Sequence, residues 1–226
     1  MRRKLSRLTT LNRDNAPHLF DCFLNLVRET IHSCAARALA HWWRVEIGSN
    51  SRFFGLPIFR RLPGSSIRIG DNCEFRSGEW SNLVGINRPC MISTLTRSAS
   101  IVIGNDCGFS ATVLGAATSI TLGRRVMCGA NVTITDTDWH AIDWRDRLAG
   151  KPGETAPVVI DDDVWLGMNA VVLKGVKIGR GTVVGAGSIV SRSLPEGVIA
   201  AGQPAVVIRK LAPAEAREAV LQGMAR

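Results

Sequence analysis

Histidine is scarce in this chain of 226 residues: there are four, and only His140 lies beyond residue 41. The six cysteines (Cys22, Cys34, Cys73, Cys90, Cys107 and Cys128) form no C-x-x-C pair and no zinc-type Cys/His spacing. They therefore read as free thiols in a reducing compartment rather than as metal ligands. No run of about 18 apolar residues occurs, which excludes a spanning helix. The basic start is not followed by a short apolar core and a small-residue cleavage site, so it does not read as a secretory signal, and the chain reads as cytoplasmic. G-x-S-x-G, H-E-x-x-H, GxxxxGK[ST] and GxGxxG are all missing, which removes the corresponding hydrolase, metalloprotease, nucleotide and dinucleotide readings. A hydratase built on three His ligands is excluded by the single His in the body of the chain. The run Asp161-Asp162-Asp163 falls at turn positions and reads as a solvated turn, so no metal is expected.

What the chain does have is a rhythm. Ile160, Leu166, Val172, Ile178, Val184 and Val190 are branched aliphatics six residues apart, and Val164, Ala170, Val176, Thr182 and Ser188 follow the first five by four. A period of six fits neither a helix nor a lone strand. It fits a solenoid in which each hexad is one short strand and a turn. The signal begins at Ile67-Arg-Ile69, with Phe75 six after Ile69. It returns at Ile103 and Phe109, with Cys107 and Val113 as the four-later partners, slips by one before Leu122, and holds through Cys128 to Ile134. Residues 77–97 are irregular and read as a loop on an early coil. The largest break is the segment of residues 135–157, rich in charge, Trp, Gly and Pro, which reads as a loop expelled from the coil.

Charge is uneven. Residues 1–61 hold 11 Lys+Arg against 4 Asp+Glu (+7), while the remainder holds 17 against 15 (+2), together the +9 of the whole chain. Residues 1–62 read as a basic N-terminal extension. It carries an amphipathic helix from about Pro17 to Val45, started near Asp14 or Asn15 and apolar along Phe20, Phe23, Leu24, Val27, Ile31, Cys34, Ala35, Ala38 and Trp42. A Gly- and Pro-rich linker over 48–64 follows. The helix is expected to pack on the solenoid end or on a neighbouring copy, with contact to a membrane surface as the functional alternative. Nucleic-acid binding by the arm is a further alternative, with no specific nucleic acid expected. The solenoid is expected over 63–211, and residues 212–226 read as a short C-terminal capping helix.

His140 sits in the expelled loop with Asp136, Asp138, Asp143, Trp139 and Trp144 around it. An imidazole is the commonest general base near neutral pH, and a neighbouring carboxylate can hold its tautomer. The hexads of 160–190, the loop stretch 131–143, Asp163-Val-Trp-Leu-Gly167, 185–192 and Ala201-Gly-Gln-Pro-Ala205 through Arg209 together resemble the hexapeptide-repeat O-acetyltransferases. These include the maltose and galactoside acetyltransferases and the acyltransferases of polysaccharide biosynthesis.

The resemblance spans about residues 65–211. It implies a mainly β fold, a left-handed parallel β-helix, assembled as a homotrimer with sites between subunits. It also implies acetyl-CoA as donor and a sugar or glycan hydroxyl as acceptor. Residue by residue, it implies His140 as catalytic base, with Asp138 and Asp143 orienting it or binding acceptor. Trp165 and Met168 would line the pantetheine arm, Ala186, Ser191 and Arg192 would contact the coenzyme, and Arg209 would lie near its phosphates. The maltose-type enzymes carry an acceptor-binding Asn where this chain reads Phe109-Ser110-Ala111, so the acceptor stays open. A non-catalytic scaffold or carbohydrate-binding solenoid is the alternative function.

Overall fold

The computed structural model describes residues 13–211. The basic residues before Arg13 and the expected C-terminal helix of 212–226 lie outside them. The described chain is six complete three-strand coils preceded by one long helix, α1 (Ala16–Trp42). The coils are β1 (Glu46–Ile47), β2 (Arg52–Phe54), β3 (Ile58–Arg60); β4 (Ser66–Ile69), β5 (Glu74–Arg76), β6 (Met91–Thr94); and β7 (Ser100–Ile103), β8 (Gly108–Ser110), β9 (Val113–Ala116). They continue as β10 (Ser119–Leu122), β11 (Met127–Ala130), β12 (Thr133–Thr135); β13 (Val158–Ile160), β14 (Trp165–Leu166), β15 (Val171–Val172); and β16 (Lys177–Ile178), β17 (Val183–Val184), β18 (Ile189–Val190). First strands stack on first, second on second and third on third, giving three parallel sheets, here called A, B and C. A hairpin, β19 (Val198–Gly202) and β20 (Ala205–Lys210), ends the second sheet with an antiparallel edge.

The six-residue rhythm is the physical cause of this architecture. Each hexad sends one aliphatic and one small residue inward and spends the rest on a corner. Ile160, Leu166, Val172, Ile178, Val184 and Val190 are all essentially without exposure, as are Val164, Ala170, Val176, Thr182 and Ser188. Thr182 and Ser188 tolerate this because their hydroxyls donate to the Pro195 and Gly185 carbonyls at 2.6 and 2.7 Å. Lower in the stack, Phe53, Phe75 and Phe109 form a ladder of parallel rings with centroids 5.0 and 4.8 Å apart. The thiols of Cys73, Cys90, Cys107 and Cys128 fill the interior, and all six cysteines are free.

At the corner between sheets A and B, each coil turns through a left-handed residue: Asn50, Asn72, Asp106, Arg125, Asp163, Gly181 and Gly197 in succession. Asp162 and Asp163 belong to this column and pair with Arg124, Arg125 and Arg180.

The structure corrects three expectations. The stretch read as a linker over 48–64 is coil one, so the solenoid starts at Glu46. Its hexads were illegible because Phe53, Phe54, Pro57 and Phe59 replace the small and branched residues of the later coils. Val113 is only half-buried, and Thr112 and Leu114 take the inward places. The slip before Leu122 is thereby located: Ile103 pairs with Leu122, 19 residues on, because the inward Leu114 comes one residue early after Phe109 and the corner after β9 is two residues longer than a hexad allows.

The third correction concerns α1, which does pack on the solenoid end but through the opposite face. Ala36 and Ala40 are buried, whereas Phe20, Phe23, Ile31 and Trp42 are mostly exposed. Coil one presents unpaired strand-edge groups, and these call for polar and small partners rather than a greasy stripe. Ser33 Oγ accepts from the Phe53 N–H at 2.9 Å, and the Arg37 guanidinium donates to the Gly48 and Ser51 carbonyls at 3.3 and 3.1 Å.

Candidate functional site

Two excursions leave the coils, and both frame sheet C. The first, residues 77–90, rises along the corner between sheets B and C. Ile86 packs against Ala111 and Ala130 in a small separate cluster, and Arg88 donates to the Ala111 carbonyl, the Asn131 carbonyl and Thr133 Oγ1. The second is the expected loop, residues 136–157, which leaves at the opposite corner, between sheets C and A.

The loop is tied at its neck. Asp136 has no exposure, and its two carboxylate oxygens accept from the Ala117 and Thr118 N–H groups at 2.6 and 2.7 Å. Those are the residues at the corner after β9, so the extra length there makes the seat of Asp136. The outgoing and returning arms then pair. The Ala156 N–H donates to the Asp136 carbonyl, the Asp138 N–H to the Glu154 carbonyl, and Thr137 bridges Thr155 antiparallel. Lys174, from the next coil, reaches both arms: its Nζ lies 2.6 Å from Asp138 Oδ2 and 3.3 Å from Glu154 Oε2. The hydrogen bond to Asp138, then that to Glu154, raises the lysine's pKa above its ordinary value.

Past the neck, the Trp139 ring lies against β9, so that a Cβ on Gly115 would come 3.0 Å from it, and its Nε1 donates to Thr135 Oγ1 at 3.1 Å. Glycine at 115 is thus the seat of the indole. His140 follows, exposed, its N–H donating to the Asp138 carbonyl at 2.7 Å. Its imidazole is open to a reactant. The loop ends its outward run in α2 (Trp144–Leu148), capped by Asp143, whose carboxylate accepts from the Arg145 N–H at 2.7 Å.

The expected site residues therefore fall into three groups. His140 stands at the C/A corner, and Ser191 and Arg192 lie exposed at the same corner two coils further on. Met168 and Ala186 stack at the B/C corner, where the Gly187 N–H donates to the Met168 carbonyl at 2.7 Å, and Trp165 stands exposed on neighbouring sheet B. Arg209 is on β20, opposite Ile199, at the far edge of sheet B.

Asp138 and Asp143 are near His140 in sequence, but among the described residues neither carboxylate is hydrogen-bonded to its ring. One is held by Lys174 and the other is a helix cap, so the orienting role expected of them is not formed within one chain. Sequence reasoning missed Lys174 and the anchoring role of Asp136. Asp136 is the first loop residue after a hexad, and only the fold shows that it turns inward.

Residues 157–192 match the family described as bacterial transferase hexapeptide (six repeats). The chain is 37% identical over 145 residues to the galactoside O-acetyltransferase of Lactococcus lactis, a match covering 63% of this chain and 62% of that protein. It is 34% identical over 168 residues to the putative lipopolysaccharide biosynthesis O-acetyl transferase WbbJ of Escherichia coli, covering 71% of this chain and 80% of that protein. The chain thus spans less than two thirds of the first relative and four fifths of the second. In fold it is similar to a hexapeptide-repeat acetyltransferase, VCA0836, of Vibrio cholerae. The TM-score is 0.54 at 24% identity, over 85% of this chain and 86% of that one.

Proposed function

The chain belongs to the hexapeptide-repeat O-acetyltransferases, and on that premise we propose that it moves an acetyl group from acetyl-CoA to a hydroxyl of a sugar or polysaccharide precursor, with His140 as general base. One observation carries the residue assignment. His140 is an exposed imidazole on a loop whose neck is fixed by a buried carboxylate and a lysine bridge, at the one long break between regular coils. A base must be both accessible and held, and the rest of the described solenoid offers no second histidine.

In this reading His140 takes the proton from the acceptor hydroxyl as that oxygen attacks the thioester carbonyl. The tetrahedral oxyanion is stabilised by a backbone N–H of an adjacent coil. When the C–S bond breaks, the imidazolium returns the proton to the leaving thiolate, so no acyl-enzyme forms and the buried cysteines stay structural. The donor's apolar pantetheine arm suits exposed Trp165 and Met168 beside the flat backbone at Ala186. Its phosphates suit Arg192 and Arg209, and Ser191 adds a hydroxyl contact. Asp143, exposed beside α2, remains a candidate for the acceptor.

Met168 and Ala186 stand at the end of sheet C opposite His140, Ser191 and Arg192, which supports a site shared between two copies, as a homotrimer would provide. Light scattering checks the trimer. The activity test is release of the coenzyme thiol from acetyl-CoA with a panel of free and nucleotide-linked sugars, with the product's acetyl position assigned by NMR. No thiol release with any hydroxyl acceptor would overturn the assignment in favour of a non-catalytic solenoid, and release that is as fast without sugar would overturn it in favour of thioester hydrolysis.

A further inference from the structure

Helix α1 wears its apolar side outward. Phe20, Phe23, Val27, Ile31 and Trp42 recur at helical spacing with exposures of 63, 60, 39, 61 and 81%. At a rise of 1.5 Å per residue the stripe runs about 33 Å. The four charged residues of α1 are all placed elsewhere. Arg28 lies over the Trp80 ring at 5.0 Å, Glu29 faces Arg52 at 3.6 Å, Arg37 is spent on the coil-one carbonyls, and Asp21 accepts from Asn25 at 3.0 Å. No carboxylate or ammonium therefore interrupts the outward stripe, the inverse of what a solvated surface helix shows. The sequence just before it carries Arg2, Arg3, Lys4, Arg7 and Arg13 with no acidic residue until Asp14.

We propose that α1 docks the protein on an anionic lipid surface, its apolar stripe buried at the boundary of headgroups and acyl chains and the preceding basic residues paired with lipid phosphates. A surface helix held by apolar burial together with a basic cluster supplies the two signals that stable peripheral binding needs. Charge decides between this occupant and a second copy of the chain. Face-to-face pairing of two stripes would bring together two chains that each carry five cations just before the helix, whereas an anionic leaflet is complementary to both the stripe and the charge. Among the described residues no helix is long and apolar enough to cross a membrane, so the contact is interfacial. In the trimer proposed above, three such caps share one end and bind with avidity.

The test is co-sedimentation of the full chain with phosphatidylcholine vesicles, with and without phosphatidylglycerol, at low and high salt. The expected result is sedimentation that depends on phosphatidylglycerol and is reversed by salt. Phe23→Asp/Ile31→Asp is expected to lose at least about tenfold in vesicle affinity, with thermal stability and acetyl transfer to a soluble acceptor unchanged. Glutamine at Arg2, Arg3, Lys4 and Arg7 should remove the salt dependence. Equal partitioning with both vesicle types, or binding that survives Phe23→Asp/Ile31→Asp, would overturn the proposal. So would a fall in oligomeric mass of that variant by light scattering, which would make the stripe a contact between copies. None of these outcomes bears on acetyl transfer itself.

Discussion

Asp136 and His140 are four residues apart and sit in opposite surroundings, one buried and one exposed. Asp136 is a polar side chain fully withdrawn from water, tolerable only because two backbone N–H groups meet its two oxygens. Asp136→Ala leaves those buried donors without acceptors and should cost about 2–4 kcal/mol by denaturant unfolding. His140 makes no side-chain hydrogen bond within the described chain. Its replacement by Ala should therefore leave the denaturation midpoint unchanged while turnover falls about 10²–10⁴-fold in steady-state assays. A His140→Ala enzyme with normal turnover on its true acceptor would remove the imidazole from the mechanism. The two variants separate holding the loop from using it, since Asp136→Ala should move both stability and rate.

At the scale of elements, the ring ladder of Phe53, Phe75 and Phe109 joins β2, β5 and β8 across three coils. Phe75 is the middle ring and has neighbours on both faces, so Phe75→Ala opens a cavity that the rigid coils on either side cannot close. A loss of about 3–5 kcal/mol is expected in urea titrations. The loop-to-sheet contact predicts a different outcome. A side chain at Gly115 would press the Trp139 ring, already 3.0 Å from the position of a Cβ. Gly115→Val should lift the indole, shift the tryptophan emission and displace His140, lowering kcat by up to about 10²-fold with the fold intact. An unchanged rate would mean that Trp139 does not position His140 for the proposed reaction.

At the scale of the molecule, the solenoid's outer column of charges makes its stability depend on acid. Asp162 is held below its ordinary pKa of 3.8 by the Arg124 N–H and then by that arginine's side chain. Asp163 is held below the same value chiefly by Arg125, with Arg180 adding to it. A carboxyl whose pKa is lower in the folded state stabilises the fold above its ordinary value and loses that contribution as pH falls through the lowered one. The melting temperature should therefore decline below about pH 4, and Asp163→Asn should flatten that decline. An identical acid limb in the variant would show that these exposed pairs contribute nothing, as many surface pairs do.

The sequence by itself determined the coil. From Ile160 to Val190 the alternation of aliphatic and small residues at a period of six admits one arrangement that buries them all, and the expelled loop and its His were legible as the place where that period stops. The neighbours of each corner, however, are residues of other coils: the partner of Asp138 is Lys174, 36 positions on, and the seat of Asp136 is Ala117 and Thr118. Stacking brings such groups together, and no local pattern records it. Coil one escaped notice because aromatic rings fill it without the hexad's small residues. The outward turn of α1 was likewise beyond the sequence, since an amphipathic pattern marks an apolar face but not which side the core will take. That choice fell to the unpaired edge of coil one, whose backbone groups bound Ser33 and Arg37 and left the apolar face uncovered.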